Sequence, residues 1–297
     1  MKKHLLIMII GFVFLWNSGY IAAEIGLSYS RPFNQLFWRY LSLTLIILVY
    51  LLVRRRFRYP GWPESAQNML VGVLAHGGWL SCVLLAQNYG VPSGVVALVV
   101  ALQPMATAAF SGLAVGEPTP PFRWIGLLVG FSGVILTVVF RMDFGSPASI
   151  FAFLIPLGSV ISITVASLIQ RRMEVKPTSA RLPSDLSLFY QCLATTIAVA
   201  LPALLFEDST IQWESTFIIS LLWLVIAVSM GAYALMWKLI EKIDATRVAS
   251  LFYLGPPVTM LMAWIAFGDS VMGTDITGLG VVLAGVLITQ IKPGSRS

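Results

Sequence analysis

Residues Leu251–Trp264 read LFYLGPPVTMLMAW, a stretch apolar enough to lie at membrane depth yet interrupted at its centre by Gly255, Pro256 and Pro257. A proline inside a helix removes a backbone donor and clashes with the preceding turn, at a cost of about 3 kcal/mol. Within lipid no water is at hand to satisfy the carbonyls this sets free. Two prolines at such a place require a structural reason, and the rest of the chain supplies one for the first of them.

The surroundings are those of a polytopic membrane protein. Of the 297 residues, 58% are hydrophobic and 11% charged, where a soluble domain carries about 25% charged residues. Ten apolar runs follow one another, at roughly 5–23, 33–53, 68–87, 92–115, 122–140, 148–169, 186–206, 216–238, 245–267 and 275–291. Each is near the length of about 20 residues that a bilayer core demands. The first has the basic start and the small residues (Ala22, Ala23) of a signal peptide, but its length and its Trp16-Asn17 pair make it a first transmembrane helix.

The net charge of +6 is topological and does not point to nucleic acid. With the N-terminus in the cytoplasm, one side receives Lys2, Lys3, the Arg54–Arg58 cluster, Arg123, Arg171, Arg172, Lys176, Arg181, Lys242, Lys292 and Arg296, while the other keeps Arg31 and Arg141. Lysine and arginine concentrate on the cytoplasmic side, so both termini are expected there. Cys82 and Cys192 lie inside apolar runs, as small buried hydrophobes do. No spacing of His, Cys and carboxylates suits a metal, and no Walker-type phosphate loop exists. No cofactor is expected.

A shift of 152 positions lays the sequence on itself without a gap. Leu36-Phe37-Trp38-Arg39 falls on Leu188-Phe189-Tyr190-Gln191, Pro104 on Pro256, Thr107 on Thr259, and Gly116-Glu117 on Gly268-Asp269. Matches of Leu and Val are cheap, but Gly, Pro, Thr and acidic matches at one constant shift are not. The chain therefore reads as two five-helix repeats, 1–140 and 148–291. Five is odd, so the second repeat enters the membrane inverted, as in secondary transporters. On this reading the fold is all-α, with ten transmembrane helices and a helix break in each half. The repeat accounts for Pro256 but not for Pro257, which faces Met105 in the other copy.

ALQPMATAAFSGLAVGE (Ala101–Glu117) and DATRVASLFYLGPPVTMLMAWIAFGD (Asp244–Asp269) resemble the paired motifs of the drug/metabolite transporter superfamily, EamA branch. FLWNSGY (Phe14–Tyr20) and the Pro32…Arg39 spacing are similar to its first two helices. The resemblance spans nearly the whole chain. It implies a ten-helix inner-membrane exporter of small metabolites with a central cavity between the halves. Two positions depart from the pattern: Asp269 stands where Glu is more usual, and Asn17 where Gly is. Resemblance of fold names no substrate.

Polar groups within transmembrane helices are costly and face the interior. The substrate cavity is accordingly expected among Trp16, Asn17, Tyr20, His76, Trp79, Gln103, Tyr233 and Tyr253. His76, Trp79, Val83 and Gln87 share a helical face by spacing, as a cavity lining or as a packed interface. Helix breaks are expected at Pro104, Pro256 and Pro257. Glu24, Arg39 and Arg247 are the candidates for coupling or gating. Glu24, near a helix end, reads more readily as a solvated carboxylate. Arg39 either snorkels outward or anchors packing, and its counterpart Gln191 is neutral. Arg247 reads as a cytoplasmic gate or anchor. Trp237 and Lys238 fit an interfacial belt, and Gly126, Gly130 and Gly133 fit close helix packing, within a monomer or in a homodimer.

The expected activity is export of a small-molecule substrate across the cytoplasmic membrane by alternating access, with proton coupling resting on Glu24 and His76. A metabolite/metabolite antiporter is the alternative within the fold. An enzyme would need a nucleophile or metal constellation that is missing, and a sensor would need a soluble domain longer than the 170–185 loop.

Overall fold

A chain that crosses a membrane must satisfy its own backbone N–H and C=O groups, so each apolar run becomes helix. The computed structural model describes residues 2–116, 120–142, 144–175, 182–208, 210–243, 248 and 251–289, and the regular elements among these are all helical. They are α1 (Lys2–Leu27), α2 (Pro32–Val53), α3 (Trp62–Gly72), α4 (Trp79–Asn88), α5 (Ser93–Val100), α6 (Gln103–Val115), α7 (Pro121–Val139), α8 (Pro147–Val175), α9 (Ser184–Phe206), α10 (Ser215–Leu222), α11 (Tyr233–Lys242), α12 (Gly255–Phe267) and α13 (Gly273–Thr289). A π-helical stretch, Val73–Gly78, joins α3 to α4, and a second, Trp223–Ala232, joins α10 to α11. A 3-10 turn, Phe252–Leu254, leads into α12.

Eight helical passages are long and apolar enough to cross a membrane: His4–Leu27, Pro32–Val53, Trp62–Asn88, Ser93–Gly112, Pro121–Val139, Ser149–Met173, Ser184–Phe206 and Ser215–Lys242. Phe252–Phe267 and Gly273–Thr289 are apolar but shorter. The sequence leads to ten full-length runs, and among the described residues the last two are shorter than a span. Residues 244–247, 249 and 250 before the ninth, and 290–297 at the end of the tenth, lie outside the described residues. So do Arg247 and Glu117.

Two antiparallel helix pairs join the first part of the chain to the second. In the pair α2/α9, the Glu207 carboxylate at the end of α9 accepts from the backbone N–H groups of Phe33 (2.9 Å) and Asn34 (2.8 Å) at the start of α2. At the opposite end Arg56 meets Asp185 at 3.0 Å. Between them, Thr44 and Thr196 touch through their hydroxyls. In the pair α7/α13, glycines let the backbones meet. A Cβ added at Gly126 would fall 2.6 Å from the Gly285 carbonyl, and one at Gly133 would fall 2.6 Å from that of Gly278. The small residues expected to serve close packing are thus engaged within the chain. Arg141, just past α7, pairs with buried Asp275 and donates to the Ser270 carbonyl at 2.7 Å.

The helix breaks are milder than the prolines suggest. Between α5 and α6, Ala101 and Leu102 stay right-handed, with ψ flattened to -12° and -21°. Leu254, before α12, has ψ -9°. Pro104 is the second residue of α6, and Pro256 and Pro257 are the second and third of α12. First-turn N–H groups have no intrahelical acceptor, so none of these prolines removes a bond from its own helix. This accounts for Pro257, which the repeat leaves unexplained. α6 and α12 both end on a left-handed glycine, Gly116 (φ 77°) and Gly268 (φ 73°), a conformation without penalty only for that residue.

Candidate functional site

Helix α1 packs against α4 and α5 from the first part of the chain and against α10, α11, α12 and the second π-helical stretch from the second. Trp16 is the hub of its inward face. Its ring lies 4.9 Å from Phe252 and 5.2 Å from Tyr233, and it stacks on Trp79 at 6.4 Å with 20° between the planes. Phe12, one turn earlier, adds contacts to both Trp16 and Phe252. Three sequence candidates, Trp16, Trp79 and Tyr233, are therefore brought together. Phe12 and Phe252 complete the cluster, and single apolar residues among many carry no sequence signal for it. The Trp79 indole N–H is buried without an acceptor.

Asn17 is a tie to the second break. Its Nδ2 donates to the Val13 carbonyl at 2.7 Å, and its Oδ1 accepts from Thr259 at 3.2 Å. A Cβ at Gly255 would stand 3.0 Å from that same oxygen. The Asn17 side chain therefore fills the space that the small Gly255 leaves at the start of α12.

Toward the far end of α1, Ser93 at the start of α5 donates to the Glu24 carboxylate and accepts from Gln87 Nε2 at 2.5 Å. Gln87 Nε2 also reaches the Tyr20 carbonyl at 3.0 Å. Glu24 is half-buried and tied to a fully buried serine, rather than free in solvent as its position near a helix end suggests. Ser93 follows Pro92 in an apolar run, where one small polar residue gives no sign of its distant partner.

Arg39 does not snorkel outward. It is 7% exposed, its Nε and Nη2 donate to Ser229 Oγ at 3.2 and 2.9 Å, and its guanidinium lies over the Tyr40 ring at 5.8 Å. His76 Nε2 stands 3.1 Å from Gln191 Oε1, and its ring is 5.5 Å from that of Tyr40. His76 belongs to the first π-helical stretch and Ser229 to the second. Such stretches recur at functional sites, and the straight helices expected from periodicity gave no sign of them.

Gln103 stands apart from this group, donating to Thr107 at 3.1 Å and Ser167 at 3.4 Å. Tyr253 packs against the main core from the 3-10 turn. Trp237 and Met230 are exposed, and Trp223, itself partly exposed, donates from Nε1 to Ser18 at 2.9 Å.

Comparison with known proteins adds the family. The chain is 25% identical over 94% of its length to the uncharacterized transporter YvbV of Bacillus subtilis, covering 89% of that protein. It is 25% identical over 93% of its length to the uncharacterized inner membrane transporter YedA of Escherichia coli, covering 87%. A probable amino-acid metabolite efflux pump of Salmonella typhimurium is 22% identical, with 93% of this chain and 91% of that protein aligned. One crystal structure superposes with a TM-score of 0.64 at 20% identity, covering 97% of this chain and 96% of the other, which shows the fold alone. The EamA-like transporter family matches twice, over residues 4–139 and 149–291. The chain belongs to the EamA-like transporter family and is a multi-pass membrane transporter.

Proposed function

We propose that the protein exports small amphipathic metabolites across the cytoplasmic membrane by alternating access, through two inverted five-helix halves with ten crossings and both termini in the cytoplasm. The observation that carries this reading is the Trp16 cluster, where aromatic rings from both parts of the chain meet at the depth of the helix break before α12. Stacking faces at a junction between two halves suit a site that each half exposes in turn. Asn17, bonded to α12 beside its first turn, couples occupancy of that site to the break. Glu24, held by Ser93, is the ionisable group along α1 to which we assign proton exchange.

The test is transport by purified protein in liposomes. Trp16→Ala and Tyr233→Ala should each slow efflux of a transported amino acid by about five- to tenfold, on the scale of one lost stacking contact of about 1–1.5 kcal/mol. Failure of the wild type to move any member of a panel of amino acids, nucleosides and amphipathic drugs would end this reading. Glu24→Gln should abolish any stimulation of efflux by an opposing pH gradient while leaving counterflow of the same compound.

A further inference from the structure

We propose that Arg39 is the docking point for a carboxylate on the transported compound, so that the substrates are small organic acids, amino acids among them, with an apolar body that stacks on the Trp16 cluster. The inference rests on the reading of the chain as an exporter with a central site. It begins from an imbalance of charge. Arg39 is buried about seven residues, or about 10 Å of helix, inside α2. The guanidinium has five N–H donors. Two of them converge on the single Ser229 hydroxyl, and no acceptor takes the others among the described residues. The ion pairs among the described residues, Arg56 with Asp185 and Arg141 with Asp275, lie elsewhere. A buried cation without a counter-charge is costly, and at membrane depth such a group marks a substrate or ion path.

Packing alone does not require this charge. The corresponding position in the second half of the chain is Gln191, a neutral residue that holds His76 at 3.1 Å. A glutamine therefore fits the equivalent place in the bundle. What Arg39 adds is a planar fork matched to a carboxylate.

The neighbours set the rest of the substrate. Ser229, which orients the guanidinium, is one turn from Tyr233, and Tyr233 packs on Trp16. The orphaned Trp79 N–H supplies a second donor in the same cluster. Charge, donor and stacking faces thus converge, as in ligand sites where a few polar groups fix orientation within an apolar lining.

The experiment compares an acid with its neutral isostere. 3-Phenylpropionate and 3-phenylpropanamide are titrated into the detergent-solubilised full-length protein, with tryptophan fluorescence as readout. The wild type should bind the acid about tenfold or more tightly than the amide, and Arg39→Gln should erase the difference. Arg39→Lys, keeping the charge but not the fork, should retain a reduced preference. Equal binding of acid and amide by the wild type, no binding of either, or an intact preference in Arg39→Gln would each overturn the proposal. Should Arg39→Gln fail to fold, the wild-type acid-to-amide ratio alone decides. A parallel liposome assay keeps the two readings apart. Transport of uridine but of neither leucine nor phenylalanine would leave an exporter standing and remove the carboxylate site.

Discussion

Thr44 and Thr196 meet hydroxyl to hydroxyl at 3.2 Å and are 152 positions apart in the chain. The same displacement lays the first half of the sequence on the second. A residue touches its own counterpart only where a two-fold axis passes between them, and the inverted repeat we propose accounts for the contact. The glycines behave alike: Gly126 meets Gly285 and Gly133 meets Gly278, each pair the counterpart of the other. Both threonines also bond their own i-4 carbonyls, Tyr40 at 2.7 Å and Cys192 at 2.9 Å. Two hydroxyl protons thus serve three contacts. Thr44→Val alone should cost about 0.6–1 kcal/mol, and adding Thr196→Val should cost little more, because no buried hydroxyl is then left facing a methyl group. A double-mutant cycle from thermal unfolding in detergent measures this. Full additivity would mean that the two hydroxyls do not interact.

Close approach of α7 and α13 depends on the absence of side chains at four positions. Gly285→Ala would set a Cβ 2.6 Å from the Gly126 carbonyl oxygen and the Gly130 nitrogen, both backbone atoms that have no rotamer to yield. The helices must separate, and we expect a loss of about 1–3 kcal/mol. Gly280, on the same helix, has nothing within 4 Å of an added Cβ, and Gly280→Ala should be neutral or mildly stabilising. Melting temperatures of the two variants, measured side by side, separate packing from propensity. Equal effects would contradict the close-contact account.

The prolines make a related case. Because Pro104, Pro256 and Pro257 all lie in first turns, replacing them adds an N–H where none is needed by the helix itself. Pro257→Ala should change stability by less than about 1 kcal/mol. Pro104→Ala and Pro256→Ala should slow transport more than they reduce the amount of inserted protein, because alanine lets α5 continue into α6 and the 3-10 turn into α12. Immunoblots of membrane fractions set against transport rates give the comparison. Normal transport by both variants would mean that the breaks do not serve movement.

Much of this fold is written in the sequence as hydropathy and as a repeated register, since helices in lipid have few alternatives. Both helix breaks and the inward place of Trp16 and Trp79 follow from the same patterns. The π-helical stretches do not, because an extra residue in one turn leaves hydropathy unchanged and shows only in backbone geometry. Arg39 and Glu24 were legible as unusual residues but not as to their surroundings. Burial of Arg39 depends on Ser229, which is 190 positions away, and capture of Glu24 depends on Ser93, 69 positions away. Side-chain partners at such distances leave no local trace.

Glu207 is a cap delivered from a distance. The N-cap residue of α2, Arg31, offers no side-chain acceptor, and the Glu207 carboxylate takes both the Phe33 and Asn34 N–H groups instead. A carboxylate there also complements the helix dipole. Glu207→Ala should cost about 1 kcal/mol, in the range of a lost N-cap, and Glu207→Gln less, since one amide oxygen can still accept. Hydrogen exchange at the first turn of α2 is the local readout, where faster exchange in Glu207→Ala is expected. Unchanged exchange would mean that solvent caps this turn equally well.

Asp269 gives a pH dependence with a definite sign. It lies between α12 and α13 beside a small cavity shared with Arg141, Met260 and Asp275, and its Oδ2 is buried without a hydrogen-bond partner. Burial pushes its carboxyl above the usual aspartate range, and the nearby Arg141 guanidinium opposes the shift without cancelling it. A carboxyl whose folded pKa exceeds its unfolded value holds its proton more firmly in the fold. Its stabilisation is complete below the ordinary value of about 3.9 and is lost as the pH rises through the folded value. At neutral pH the ionised side chain is therefore a net cost. The residue is partly exposed and water screens the charge, so the effect should stay below about 1 kcal/mol. Asp269→Asn, which copies the uncharged form, should melt at a higher temperature than wild type at pH 7, with the gap narrowing as the pH is lowered toward 4. Arg141 keeps Asp275 as its partner in this variant. A gap that stays constant across that range, or one that widens on acidification, would show that burial does not govern this carboxylate.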